Sequence, residues 1–178
     1  FVIAKRLHDN ENLVYYLNEW WRYDEAKGVY EVADKYLSWT IQDIAGLKWR
    51  RGIDEEVRAW LSPNVSITLS DIPRQLELTN VRNGMLNWLT GELKPHSPSW
   101  KSFNQVNAMW DEKVDTKEVD DFVRQILPED MVEAWWMFCG YCLYMDMPLP
   151  YRCLLAIIGP KATGKSTLLR ALQQFIGA

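Results

Sequence analysis

The chain has 178 residues, of which 48% are apolar and 25% charged, so it is not a disordered chain and has room for one domain plus part of another. Its 24 acidic and 20 basic residues give a net charge of −4, which excludes a uniformly basic protein that coats nucleic acid. The charge is uneven, because no acidic residue follows Asp146 whereas four basic residues do: Arg152, Lys161, Lys165 and Arg170. This basic end favours an anionic ligand.

Cysteine content and hydropathy indicate which cellular compartment to expect for the chain. Three cysteines, an odd number, do not make a disulfide framework, which favours a reducing, cytoplasmic setting. No uncharged run is longer than Ala134 to Met145, which is shorter than the ~18–20 apolar residues of a membrane span, so we expect no membrane partner. No signal peptide is visible and the first residue is Phe1 rather than methionine, so we expect a chain cut from a longer protein.

The first third of the chain predicts a hairpin and two helices. Aromatic and β-branched runs predict strands, and apolar residues at helical spacing predict helices. In chain order, the predicted strands are Leu13–Tyr16 and the hairpin strands Trp20–Tyr23 and Val29–Val32, which flank a loop that ends at Gly28. A helix capped by Asp34 follows and runs to about Ala45, with Gly46 as its stop. A second helix runs from about Ile53 to Leu61 and ends at Ser62-Pro63.

The middle of the chain predicts a second hairpin and two more helices, after an irregular stretch at residues 62–80. The hairpin strands, Met85–Leu89 and Glu92–Pro95, bracket Thr90-Gly91. A capping-box-like pair then starts a helix with one apolar face, and Pro128 ends it and opens the next helix, which runs to about Met145. The pair is Asp115 and Glu118, and the face is Val119, Phe122, Val123 and Ile126.

The strongest chemical signal comes near the end. Leu154–Ile158 is wholly apolar, which predicts a buried strand, and it leads into Gly159–Ser166, a match to the phosphate-binding pattern G-x-x-x-x-G-K-[ST]. The next residues, Thr167–Leu172, predict a helix. We refer to Gly159–Ser166 as the P-loop. A glycine-containing turn with an incidental lysine is the structural alternative.

The chemistry of phosphate binding explains each P-loop residue. Glycines let backbone N–H groups curl around phosphate oxygens, and the following helix N-terminus adds positive partial charge. Lys165 would reach the β- and γ-phosphates of ATP, and the Ser166 hydroxyl would ligate Mg²⁺. The predicted ATP-binding residues are Gly159, Pro160, Lys161, Ala162, Thr163, Gly164, Lys165, Ser166 and Thr167, with Lys165 also the catalytic candidate.

Three upstream stretches resemble one protein family. Trp20–Val32 is similar to the Trp-Tyr-Asp-Gly-type hairpin of poxvirus-type and phage- or plasmid-type primase-helicases. Asn83–Leu93 followed by Pro95–Pro98 resembles their Asn-Gly, Thr-Gly and Pro-His-Ser-Pro segment. Trp135–Leu143 resembles the helix with a Gly-Tyr step that precedes their phosphate loop. The order and approximate spacings agree over nearly the whole chain, and the conjunction is specific where the single stretches are not.

The resemblance implies a piece of a superfamily-three helicase, an ATP- and Mg²⁺-dependent motor that unwinds DNA in phage, plasmid or viral replication. Such motors are AAA+-like homo-oligomers, usually hexameric rings, in a bacterial cytoplasm or at a viral replication site. We therefore expect an α+β fold: a mainly helical pre-motor domain with short hairpins at 1–146, a linker at 147–150, and the first strand, P-loop and helix of a truncated P-loop ATPase at 151–178.

By the same resemblance, the remaining ATPase motifs should follow Ala178 and any primase module should precede Phe1. Residues 147–178 contain no Asp or Glu, so the acidic magnesium motif is missing and we expect the 178 residues alone not to hydrolyse ATP. Two alternatives stay open. One is a non-catalytic module that binds DNA or a replication partner, and the other is a small-molecule P-loop kinase, which leaves 150 upstream residues unexplained.

Aromatic and sulfur-bearing residues supply weaker candidates. Lys48, Trp49, Arg50 and Arg51 mix cations with a ring, as a contact to single-stranded DNA would, but the acidic residues that follow at once favour a solvated turn between two helices. Ten tryptophans predict mainly core packing, with a few exposed rings available for stacking. Cys139 and Cys142 have Cys-x-x-Cys spacing in an apolar helix without a second pair, so a zinc site is disfavoured.

Overall fold

A computed structural model describes residues 1–73, 76–144 and 153–177. Within these ranges the fold is α+β, with six α-helices and two three-stranded antiparallel sheets, as the sequence predicts. The chain divides into two compact units: unit 1 is Phe1–Arg74 with His96–Phe103, and unit 2 is Gln75–Pro95 with Asn104–Ala178. The predicted linker 147–150 lies outside the described residues, and the predicted division of the chain there stays a prediction.

Unit 1 packs three helices against one sheet. Its core joins the helices to the central strand through Leu7, Leu37, Ile41, Leu61 and Trp20, each at most 6% exposed. The sheet has strand order β1-β2-β3, and the helix before it is not predicted from the sequence. The elements are α1 (Val2–Asn10), β1 (Leu13–Tyr16), β2 (Glu19–Asp24), β3 (Val29–Val32), α2 (Asp34–Ala45) and α3 (Arg51–Val65).

The first predicted hairpin is confirmed. Its loop is closed by Asp24, whose Oδ1 accepts the backbone N–H groups of Ala26 and Lys27 at 2.9 and 3.1 Å. Gly28 has a φ of +74°, the left-handed conformation that favours glycine. A later segment joins the outer edge of β3, because the Tyr30 N–H donates to the Ser102 carbonyl at 2.8 Å.

Two predicted helix ends in unit 1 are wrong. Asp34 does not cap α2: the N-cap residue is Ala33, and Asp34 lies in the first turn, where its carboxylate accepts a hydrogen bond from Arg58. Helix α3 continues past Pro63 to Val65. Side chains donate to two carbonyls of this last turn, Asn64 Nδ2 to Trp60 and Ser66 Oγ to Ser62, both at 2.6 Å.

Unit 2 combines the second sheet with three helices. The predicted hairpin around Gly91, φ +74°, is confirmed, and a further strand in the stretch predicted to be irregular pairs with it. The helices share a core of Val123, Val132, Trp135, Leu168 and Leu172. The elements are β4 (Leu78–Val81), β5 (Gly84–Asn87), β6 (Leu93–Lys94), α4 (Lys117–Ile126), α5 (Glu129–Tyr141) and α6 (Lys165–Ile176).

The ends of α4 and α5 differ from their predictions. Helix α4 begins at Lys117 rather than Asp115 and has no Asp115–Glu118 capping box; instead Asp115 Oδ1 accepts the Lys117 N–H at 2.9 Å. Pro128 does open the next helix as its N-cap residue, but that helix ends at Tyr141 instead of near Met145. On the predicted apolar face of α4, Val119 is 54% exposed.

Leu154–Ile158 does not form the predicted strand. The segment has no strand partner among the described residues, and Leu154 and Ile158 are 92% and 93% exposed. Leu155 and Ile157 pack against the helical core of unit 2, so alternate side chains are partly buried. An apolar run becomes a buried parallel strand only where neighbouring strands cover its edges. The predicted helix after the P-loop is confirmed and is longer than predicted, as α6.

Candidate nucleotide-binding site

The P-loop forms a tight turn that ends in the first turn of α6. Ala162 and Gly164 have positive φ angles of +61° and +83°, and Gly164 is the N-cap residue of the helix. The Gly164 carbonyl accepts the N–H groups of Thr167 and Leu168, both at 3.0 Å. Left-handed residues in such a turn can direct successive N–H groups to one concave side, and the helix adds positive partial charge. The backbone therefore has the features that an anion site needs.

The Lys165 side chain folds back over the P-loop. Its Nζ donates to Thr163 Oγ1 at 2.9 Å and also to the Pro160 carbonyl. The Thr163 hydroxyl donates to the same carbonyl at 3.1 Å. A β-carbon on Gly159 would lie 3.8 Å from Lys165 Cδ, so the lysine chain passes beside that glycine. Two oxygens of the loop thus hold the amine at its surface, and phosphate oxygens could replace these neutral acceptors.

Solvent reaches most of the P-loop. Lys161, Thr163, Ser166 and Thr167 are exposed, while Gly164 and Lys165 are half-buried. The segment that carries the loop contributes positive charge alone, since no acidic residue follows Asp146. A triphosphate could therefore enter from solvent and find the Lys165 amine and the Ser166 hydroxyl at the helix N-terminus. These residue types and this geometry fit ATP with Mg²⁺.

Gly164 lies directly against α4. A β-carbon on Gly164 would be 2.9 Å from both Cδ1 and Cγ1 of Ile126, the last residue of α4, which is closer than van der Waals radii allow. Both the positive φ and this contact require glycine at the N-cap of α6. The sequence places Ile126 on an apolar helix face, but nothing in it pairs that residue with the P-loop.

Comparison with known families gives one match. The D5 N-terminal-like family matches residues 4–128, more than two thirds of the chain. The chain belongs to the D5 N-terminal-like family. This is the domain that precedes the helicase motor in primase-helicase proteins, so the chain comes from a replication protein family of that type, as the resemblance predicts. No curated protein matches the chain at a significant level.

The D5 N-terminal-like match ends between two helices of unit 2. It covers α1–α4 and both sheets and stops before α5, α6 and the P-loop. Ile126, the residue against Gly164, is therefore among the last residues of the matched region. The contact joins the family domain to the loop that follows it in the chain.

Two of the stretches that carry the primase-helicase resemblance meet in unit 1. Trp20–Val32 forms the β2–β3 hairpin, and the ring of His96, from the Pro95–Pro98 segment, covers Gly28 so closely that a β-carbon there would overlap its atoms. The Tyr30 hydroxyl donates to the Pro98 carbonyl at 3.3 Å. In this D5 N-terminal-like domain these motif residues hold the hairpin against a later segment of the chain.

Lys48–Arg51, which we name the basic turn, connects α2 to α3. Trp49 is 42% exposed, and Trp39 on α2 is 66% exposed, so two rings of unit 1 are available for stacking. Arg51 Nε lies 3.2 Å from Glu55 Oε1, and Arg50 Nη2 lies 3.8 Å from Glu56 Oε1. Ion pairs this exposed are weak, so both guanidinium groups can turn to another anion at small cost.

The cysteine pair of α5 has the environment of core residues. Burial raises the pKa of the Cys139 thiol to about 11 and also raises the pKa of Cys142. A protonated thiol is a poor nucleophile and a poor metal ligand. In residues 1–73, 76–144 and 153–177, no cluster of three or more His, Cys, Asp or Glu could hold a metal ion.

Among the described residues of the D5 N-terminal-like chain, no helix combines the length and the apolar character that crossing a membrane would require.

Proposed function

We propose that this protein is a piece of an ATP-dependent DNA helicase of the primase-helicase type, and that its P-loop binds the triphosphate of ATP. The observation that carries the proposal is the Lys165 amine held inside the loop by Thr163 and Pro160, at the N-terminus of α6. Family membership supports the same conclusion independently, because the domain precedes a helicase motor in its family.

Each P-loop group would have one role in ATP binding. Backbone N–H groups between Gly159 and Thr167 would hold phosphate oxygens, and Lys165 would neutralise charge at the β- and γ-phosphates. Ser166 would ligate the Mg²⁺ that shields the phosphates. We propose that residues from 151 onward start an AAA+-like motor domain and that the parent protein works as a homo-oligomeric ring on DNA in the cytoplasm, with the further ATPase motifs outside these residues.

Replacing Lys165 with alanine should weaken binding of a fluorescent ATP analogue with Mg²⁺ about a hundredfold, the cost of losing one strong charge-assisted contact. Fluorescence anisotropy of the chain with the analogue measures the effect. Arg170→Ala is the matched control, because Arg170 is an exposed cation on α6 outside the P-loop, and it should change the affinity less than about threefold. Equal affinity of wild type and Lys165→Ala would refute the ATP site.

A second proposal is that the basic turn contacts single-stranded DNA. Its exposed Trp49 and weakly paired cations support a stacking and phosphate contact of low sequence preference. This contact is expected both for a helicase and for the non-catalytic DNA- or partner-binding module, so the ATP-binding test is the one that separates these two alternatives.

Charge reversal in the basic turn tests the DNA proposal. Arg50→Glu with Arg51→Glu should weaken binding of a single-stranded oligonucleotide several-fold at low salt and reduce the salt slope of log K by about 2, one for each lost phosphate contact. The control is Lys5→Glu with Arg6→Glu on α1, an adjacent exposed pair in the same unit with the same change in net charge. Equal weakening by both pairs would mean that only net charge matters and would remove the basic turn as a site.

A further inference from the structure

Three helices of unit 2 meet around an incompletely filled space. A groove of about 410 Å³ lies between α4, α5 and α6, and its walls are almost wholly apolar. Half-exposed Val119 of α4 and Phe175 of α6 both line it. Because side chains there do not interlock fully, α4 can shift relative to α6 at smaller cost than in a close-packed core.

The end of α4 is nevertheless in tight contact with α6. Ile126 packs into the shared core and also against Gly164, where there is no space for even a methyl group. Gly164 caps α6, and its carbonyl accepts the first N–H bonds of that helix. A shift of Ile126 toward α6 would therefore press on the residue that sets the direction of the P-loop and of the helix N-terminus.

The same end of α4 is tied to α5. Arg124 of α4 forms an ion pair with Glu129 in the first turn of α5, and Pro128 starts α5 two residues after Ile126. The connection between α4 and α5 is thus short and constrained, so a movement of either helix would displace Ile126. Because Ile126 contacts Gly164, such a displacement would also affect the position of the P-loop.

We propose that Ile126 is a positioning residue through which α4, the last helix of the D5 N-terminal-like region, sets the affinity of the P-loop for nucleotide. The proposal rests on the ATP-binding role of the P-loop. By thermodynamic reciprocity, nucleotide bound at the P-loop must stabilise one position of α4 to the same degree. The pre-motor domain and the nucleotide site thereby regulate each other through one side chain.

The test compares two isoleucines of the same core. Ile126→Ala should weaken binding of the fluorescent ATP analogue about tenfold, within the range of ordinary allosteric coupling. Ile176→Ala removes the same atoms from the same core at the far end of α6, so it should lower the thermal midpoint similarly and leave the affinity unchanged. If either alanine variant fails to fold, Ile126→Val with Ile176→Val decides, with an expected loss of about threefold for Ile126→Val alone.

Hydrogen exchange supplies a readout that simple loss of packing would not change. Addition of the Mg²⁺–ATP analogue should slow amide exchange in residues 117–126 of wild type and of Ile176→Ala, but not of Ile126→Ala. If wild type and Ile126→Ala bind the analogue equally and show the same slowing, the inference is wrong and the ATP site stands. If wild type does not bind the analogue at all, the ATP site fails and the inference fails with it.

Discussion

Arg58→Ala should lower the free energy of unfolding by about 2 kcal/mol, since it removes the cation shared by a partly buried ion pair with Asp54 and an exposed one with Asp34. The Arg58 side chain is 18% exposed, and its Nε donates to Asp54 Oδ2 at 2.8 Å and its Nη1 to Asp34 Oδ1 at 2.7 Å. Its Nη2 donates to Ser38 Oγ at 2.7 Å, and the guanidinium lies 5.7 Å from the centre of the Trp20 ring. One side chain thus joins α2, α3 and the sheet.

Asp54 makes the loss of Arg58 more costly. Its Oδ1 is buried without a hydrogen-bond partner among the described residues, so without Arg58 neither carboxylate oxygen would have a donor there. Urea unfolding measures the change. The matched control is Arg51→Ala, which breaks the Arg51–Glu55 pair at the same i,i+4 spacing on α3. Because Arg51 is 91% exposed, this variant should lower the free energy of unfolding by less than about 0.5 kcal/mol. Similar costs for the two variants would show that the cluster adds nothing beyond a surface pair.

Gly28→Ala should destabilise the protein by about 3 kcal/mol for two separate reasons. The φ of +74° strains any other L-residue by roughly 1–2 kcal/mol, and the new methyl group would overlap the ring of His96. His96 would have to leave its place against the hairpin. Thermal and urea unfolding of the purified variant measure the sum of the two costs.

Gly91→Ala measures the backbone strain of a positive φ without the steric overlap that Gly28→Ala adds. Gly91 has the same φ of +74° in the other hairpin, but its nearest neighbour, Trp110 Cζ2, would lie 3.8 Å from the new carbon, an ordinary contact. This variant should therefore show the strain alone, roughly 1–2 kcal/mol. Adding His96→Ala to Gly28→Ala should recover part of the loss, and no recovery would show that the His96 ring is not the obstacle.

Local sequence patterns predicted most helices and strands, because these elements depend on residues that are close together in the chain. Both hairpins carry a glycine at the residue with positive φ, and the apolar spacing of α2 follows its buried face, whereas on α4 Val123 is buried but Val119 is exposed. Helix ends were harder to predict. A proline inside a helix usually stops it, yet α3 continues two residues past Pro63, and helix propensity alone does not predict this extension.

The features that the sequence could not predict depend on contacts between residues far apart in the chain. Leu154–Ile158 has the composition of a buried strand, yet its structure depends on neighbours elsewhere in the fold. For the candidate site, the pattern of glycines, lysine and serine predicted the turn and the helix after it, because these residues act within eight positions of one another. Ile126 acts across the fold, and a single sequence contains no signal for that contact.

Unit 1 is discontinuous in the chain, and this affects the order in which it can form during synthesis. Tyr30 of β3 bonds to Ser102, and Phe103 packs with Tyr30 at a ring-centre distance of 5.3 Å, so the hairpin gains its last neighbours only after the β4–β6 sheet has been translated. A nascent chain that has just left the ribosome at residue 74 would expose the aromatic side of β3. Shortened versions of the protein for laboratory work should accordingly keep residues 96–103 with the first 74, joined by the native hairpins or a replacement linker.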